Sequence, residues 1–313
     1  METTVSTKTM SAARSDGAAH ASLGIAMMLF GIFLFMANDT LGKWLVSTYS
    51  VGQVLLIRSV AALVILAPFL ARTGLKPLVS LERPGMQVLR VVFATVEVLA
   101  FYGAVAYLPL ADTMAFWLAV PIYVAALSPL VLGEKVGARR WTAILIGFVG
   151  VIVVLRPSSA TLTGPALIAV AGSLAFALMM LTARSLRGTP DLVLVFWQMI
   201  GALLAGFVLM PFGWVTPPAL DIGLLAILGI TAMFAHMCVT RAFKLGDAAQ
   251  IAPLQYTMLL WAALFGYLVF GDVPQPTMLI GAAIIVGSGL FIFFRERQLA
   301  KKSAVASEPL PPG

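Results

Sequence analysis

Three observations predict an all-α membrane protein of ten transmembrane helices, built as two inverted five-helix repeats with both termini cytoplasmic. Charged residues make up 11% of the chain and hydrophobic ones 61%, where about 25% charged is usual for a soluble fold. Long apolar runs follow one another almost without interruption. Lys and Arg collect at every second junction between them.

A helix needs about 20 apolar residues to cross the hydrocarbon core. Cutting the sequence at Gly, Pro and charge clusters gives segments near 22–46, 52–71, 87–107, 112–132, 140–156, 164–183, 191–211, 220–241, 247–270 and 276–294. Residues 1–21 are small and polar and read as a disordered cytoplasmic tail, as do residues 298–313. The run beginning near Ser22 is long enough to span and has no small-x-small cleavage site, so it reads as a retained first helix. Thr189-Pro190-Asp191 and Gln275-Pro276-Thr277 carry helix-entry chemistry. The junctions are too short for a soluble domain, which puts the function inside the bilayer.

Orientation follows from charge. Of the 20 Lys and Arg, sixteen fall on one side, from Lys8 and Arg14 through Arg139, Arg140 and Arg241 to Lys301 and Lys302. Only Lys43 and Arg156 fall on the other, and Arg58 and Arg90 lie within or at the ends of helices. Cytoplasmic loops gather basic residues, so both ends of the chain lie inside. The pI near 9.8 then reflects topology and anionic headgroups and gives no reason to expect nucleic acid as a partner.

The chain also repeats itself. Asp112 opens an apolar run with Trp117, Pro121 and Tyr123 that ends at Gly133-Glu134, and a glycine-punctuated run then closes at Arg156. Lys244-Leu245-Gly246-Asp247 opens a run with Pro253, Gln255 and Tyr256 that ends at Gly271-Asp272, and a second glycine-punctuated run closes at Arg295. Residues 22–157 and 164–297 read as the two repeats. Five crossings per repeat is an odd number, so the second repeat enters from the opposite side. Inverted repeats around a central site are a device of secondary transporters.

Ionisable groups within a membrane cost about 2.5–3.5 kcal/mol each on insertion scales. Glu97 falls near the middle of the third segment, too deep to reach a headgroup, with a role in substrate or proton handling or an ion pair to Arg58 as the two readings. Arg58 either joins it or extends outward. Asp39 and Lys43 are four apart and share a helix face, most simply as a pair near the headgroups, with Asn38 beside them. His236 and Gln198 are further candidates, His236 equally a packing residue. Asp39, Lys43, Arg58 and Glu97 sum to zero charge, which suits a neutral or zwitterionic small molecule. Pro121 and Pro253 break the ladder at corresponding places in the two repeats, a pointer to a central site. Trp117, Tyr123, Gln255, Tyr256, Trp197 and Trp261 are candidates to line it, though any one aromatic more often packs or faces lipid. Trp44, Tyr49, Trp141 and Trp214, at segment ends, read as interfacial anchors. Gly147, Gly150, Gly281, Gly287 and Gly289 mark a face for close approach, either within the molecule or in a homodimer.

No Gly-rich loop ending in Gly-Lys-Ser/Thr is present, nor a His-Glu-x-x-His. Neither ATP-driven transport nor a zinc enzyme is expected. The single cysteine, Cys238, leaves no disulfide and no thiolate metal site, and no cofactor is expected.

Ala37-Asn38-Asp39 with Lys43, Arg58, Pro121 ahead of Leu132-Gly133-Glu134-Lys135, and Arg156-Pro157 together resemble the drug/metabolite transporter superfamily with two EamA domains. Ala252-Pro253-Leu254-Gln255-Tyr256 and Phe270-Gly271-Asp272 extend the likeness to the second half, with Asp272 where that family commonly has Glu. The resemblance implies a ten-helix inner-membrane carrier of small organic solutes, worked by alternating access with a proton or another ion as a candidate partner. It leans toward vitamin and cofactor importers, such as those of riboflavin or S-adenosylmethionine, with amino-acid or metabolite export as the alternative. A lipid flippase or a non-transporting scaffold is the alternative of another class.

Overall fold

The computed structural model describes residues 3–74, 76–132, 137–155, 163–186, 188–245 and 252–306, and among them every regular element is helical. The crossing segments are α1 (Thr3–Val46), α2 (Val51–Thr73), α3 (Pro84–Val105), α4 (Leu110–Trp117 and Val120–Leu132), α5 (Ala138–Leu155), α6 (Gly164–Ser185), α7 (Asp191–Leu209), α8 (Ala219–Leu245), α9 and α10 (Pro276–Ala306). α9 is composite: a 3-10 helix over Ala252–Thr257, an α-helix over Met258–Phe265 and a π-helix over Gly266–Phe270. Eight of these helices are long and apolar enough to cross a membrane, and the shorter apolar stretches Trp141–Val154 and Leu254–Phe270 complete the ten.

The expected tails differ. The helical backbone begins at Thr3 and ends at Ala306, continuing α1 and α10 through residues read as disordered. Extending an existing helix adds a hydrogen bond per residue with no new nucleus to form. Gly133-Glu134-Lys135, Arg156-Pro157 and Gly246-Asp247 lie outside the described residues.

The most extensive helix contacts follow one rule, that what helix n does, helix n+5 repeats. α1 lies against α8 and α6 against α3; α2 touches α8 and α7 touches α3; α4 packs on α6 and α9 on α1. The exchange maps α2–α7 and α5–α10 onto themselves, and both are close pairs. Helices five apart run in opposite directions, so this is the inverted repeat, realised as a pseudo-two-fold.

The connections keep the same parity. Tyr49, between α1 and α2, donates its hydroxyl to Asp221 of α8, and the Gln53 amide closes both ways on Val215, at 2.6 and 3.1 Å. At the other face Trp197 donates its indole N–H to Leu78 O at 3.1 Å, in the one-turn helix Lys76–Val79 between α2 and α3. Tyr49 is therefore buried rather than an interfacial anchor, while Trp44, Trp141 and Trp214 are exposed.

The seam between α5 and α10 accounts for the glycine face. A Cβ on Gly150 would meet Ile285 at 2.9 Å and the Gly281 carbonyl at 3.0 Å, and one on Gly147 would overlap Ile122. Gly281 in turn lies against Val154, whereas Gly287 faces open space. Small residues let two helices approach closely where lipid supplies no hydrophobic drive. The face is an internal contact between the two halves.

Candidate functional site

α3 is the spine of the site. Its mid-helix Glu97 receives the indole N–H of Trp117 at 3.1 Å. Trp117 is the last residue of the first piece of α4, and Pro121 lies four positions on. A proline has no N–H for the carbonyl four residues back, so the ladder fails after Trp117; Leu118 and Ala119 form a turn before Val120 restarts the helix. The break fixes the indole over α6, where a Cβ on Gly172 would meet the ring at 3.0 Å, and edge-on to Phe101 at 5.3 Å.

One helix over, Arg58 donates through Nη1 to the Tyr102 hydroxyl at 2.6 Å. Tyr102 is fully buried because α1 presents Gly42 to it: a Cβ there would lie 2.5 Å from the ring. α8 presents Gly229 to the backbone of Arg58, so close that a Cβ would overlap the Arg58 carbonyl. Two glycines on two helices thus let Arg58 and Tyr102 meet. Tyr102 was not among the expected site residues. The signal for it was Gly42, a small residue one turn beyond Asn38.

Asp39 completes the group. Its charge is felt together with those of Arg58 and Glu97, and Glu97 also feels Arg58. Three charged side chains from three helices that act on one another point to a common interior, and each keeps accessible surface there. His236 of α8 feels Arg58 as well and sits edge-on to Phe35 at 4.7 Å.

The expected pair of Asp39 with Lys43 is not formed. Lys43 reaches across to α9 and bridges Asp272 at 2.8 Å, above the Phe270 ring at 4.5 Å. Gly271, at φ 71°, supplies the left-handed cap that ends the π-turn and brings Asp272 round. With Lys43 outside it, the group consists of two carboxyl side chains and one guanidinium.

The remaining candidates serve neighbouring contacts. Asn38 donates to Leu228 O at 2.5 Å and Thr231 Oγ1 at 2.8 Å, tying α1 to α8. Gln198 accepts from Arg90 at 3.3 Å. Tyr123 is buried against Phe148 of α5, centroids 5.7 Å apart. Tyr256 places its hydroxyl where a Cβ on Gly289 of α10 would be, the same relation in the second half. Gln255, half-buried, follows Pro253 in the 3-10 turn of α9. Trp261 packs edge-on to Phe33 of α1 at 5.2 Å.

Comparison with known proteins agrees with this architecture. The chain is 24% identical over 282 residues to the S-adenosylmethionine uptake transporter of Rickettsia bellii, covering 90% of this chain and 97% of that one. It is 30% identical over 239 residues to the riboflavin transporter of Rhizobium johnstonii, covering 76% and 79%. A protein of known crystal structure superposes with a TM-score of 0.59 at 18% identity, covering 90% of this chain and 99% of that one, and shares the fold. The profile of the EamA-like transporter family matches residues 22–156 and again residues 163–294. Each match takes in the five helices of one half, and on that evidence the chain belongs to the EamA-like transporter family, as two tandem copies of its domain.

Proposed function

We propose that this protein is an inner-membrane carrier that moves a small polar metabolite of vitamin or cofactor type, a flavin or S-adenosylmethionine, by alternating access between its inverted halves. The observation that carries the reading is the meeting of Asp39, Arg58 and Glu97 between α1, α2 and α3. Charges at that depth are costly, and a central polar site between inverted repeats is where a transported solute binds. Trp117, held by Glu97, offers a flat apolar ring beside a carboxylate. Arg58, steadied by Tyr102, offers a donor. With two carboxyl groups to one guanidinium, the cluster offers a place for a cationic group on the cargo or for a proton that travels with it.

The names of the relatives support a metabolite as cargo, and the distribution of Lys and Arg supports cytoplasmic termini. Uptake of labelled riboflavin and labelled S-adenosylmethionine by proteoliposomes tests the reading directly. Saturable uptake of either compound, lost in Glu97→Gln, is the expected result. Saturable movement of neither, with efflux of amino acids instead, selects the exporter. A response to lipids alone selects the flippase.

A further inference from the structure

The first half of α3 buries a second polar group that the central cluster does not use. Arg90 is 7% exposed and Gln87 2%; three residues apart, they share a face of the helix. Arg90 donates through Nη1 to Leu194 O at 3.1 Å and through Nη2 to Gln198 Oε1 at 3.3 Å. Both acceptors are neutral, so the charge is held but not balanced, and among the described residues no carboxylate pairs with it. Arg90 Nε and both amide atoms of Gln87 have no hydrogen-bond partner in the protein. A buried guanidinium without an anion, next to a buried amide without partners, is an expensive arrangement within a membrane. Polar groups left in that state need a physical reason.

An oxyanion supplies one. It balances the guanidinium charge and accepts from Arg90 Nε–H and the Gln87 amide N–H. A hydroxyl or a water beside it donates to Gln87 Oε1. A planar guanidinium fork with an N–H at its side suits carboxylate and phosphate oxygens. Glu97 lies seven residues further along α3 on nearly the same face, about 10 Å away along the axis. A solute bound near Glu97 is therefore one short step from Arg90.

We propose that Arg90, Gln87 and Gln198 form a binding site for an oxyanion, a carboxylate or phosphate, carried either by the cargo or by a lipid headgroup. The cargo source rests on the transport reading; anion binding itself does not.

The test uses the purified full-length protein in neutral detergent, with its melting temperature followed against inorganic phosphate and against chloride at matched ionic strength. Wild type should show a saturable rise with phosphate, and Arg90→Gln should show none. Should Arg90→Gln fail to fold, Gln87→Met decides, because it leaves the Arg90 bonds to Leu194 and Gln198 in place. Without phosphate Gln87→Met should melt no lower than wild type, having lost an unpaired buried amide. It should bind phosphate about tenfold more weakly, the loss of one charge-assisted hydrogen bond. An Arg90 that serves only to join α3 to α7 predicts no difference between wild type and Gln87→Met in phosphate response. Equal responses in wild type and Gln87→Met, or no saturable response in wild type, overturn the site. Competition by riboflavin 5′-phosphate but not riboflavin would mark the cargo as the source. A phosphate response suppressed in nanodiscs containing phosphatidylglycerol would mark the lipid.

Discussion

The two halves of this molecule pack alike and differ in what they place inside. In the first, α1, α2 and α3 contribute Asp39, Arg58 and Glu97, with Tyr102 and Trp117 holding two of them. In the second, the corresponding helices α6, α7 and α8 offer Ser173, Gln198 and His236, none of them charged at neutral pH as a rule. Arg58 and Gln198 mark the contrast most closely, since each is the eighth residue of its helix. The scaffold is symmetric and the chemistry is not. Two inverted copies of one fold can exchange conformations, so symmetry serves the motion. Under the proposed carrier function, recognition of an asymmetric solute requires different groups around it, and the first half supplies the charged ones.

The sharpest way to break the comparison is to remove its charge. Arg58→Ala removes the guanidinium whose charge Asp39 and Glu97 feel and leaves the Tyr102 hydroxyl alone. Losing a hydrogen bond to a charged group costs about 1.5–3 kcal/mol, so both yield and melting temperature should fall and uptake should vanish. Glu97→Gln is milder for the fold, because the amide oxygen still accepts from Trp117. Uptake in proteoliposomes should drop at least about tenfold with the melting temperature nearly unchanged. Normal uptake by Glu97→Gln would mean the first half is not the recognising half.

The second half is tested by packing. Gly289→Ala pushes a methyl into the Tyr256 hydroxyl and should cost about 1–3 kcal/mol by overpacking. Tyr256→Phe removes the oxygen that the methyl meets, so the double variant should recover most of the loss, a coupling readable from melting temperatures of the four proteins. Gly287→Ala is the control, with open space around its Cβ and an expected change within about 0.5 kcal/mol.

Apart from that control, the smallest effect belongs to the bridge between halves. Lys43 and Asp272 keep 14% and 27% of their side-chain surface accessible, so Lys43→Gln and Asp272→Asn should each cost no more than about 1 kcal/mol. The charge-swapped pair, Lys43→Asp with Asp272→Lys, should melt near wild type, and single variants that cost as much as Arg58→Ala would make the bridge a main support.

How much of this was legible in the amino-acid order follows from the kind of quantity involved. Membrane class, the number of crossings and the inversion of the halves come from one-dimensional facts: the length of an apolar run, the side on which Lys and Arg fall, the oddness of five. The break in α4 belongs with them, since Pro121 acts on its own helix whatever surrounds it. Partner choice is of another kind. Lys43 has Asp39 one turn away yet bonds Asp272, 229 residues on, and Asn38 bonds α8 across 190 residues. The glycines at 150 and 281 read only as places of close approach until a neighbouring helix fills them. Which side chains meet depends on the rotation and spacing of packed helices, set by every contact along the seam at once. Local spacing carries no record of that.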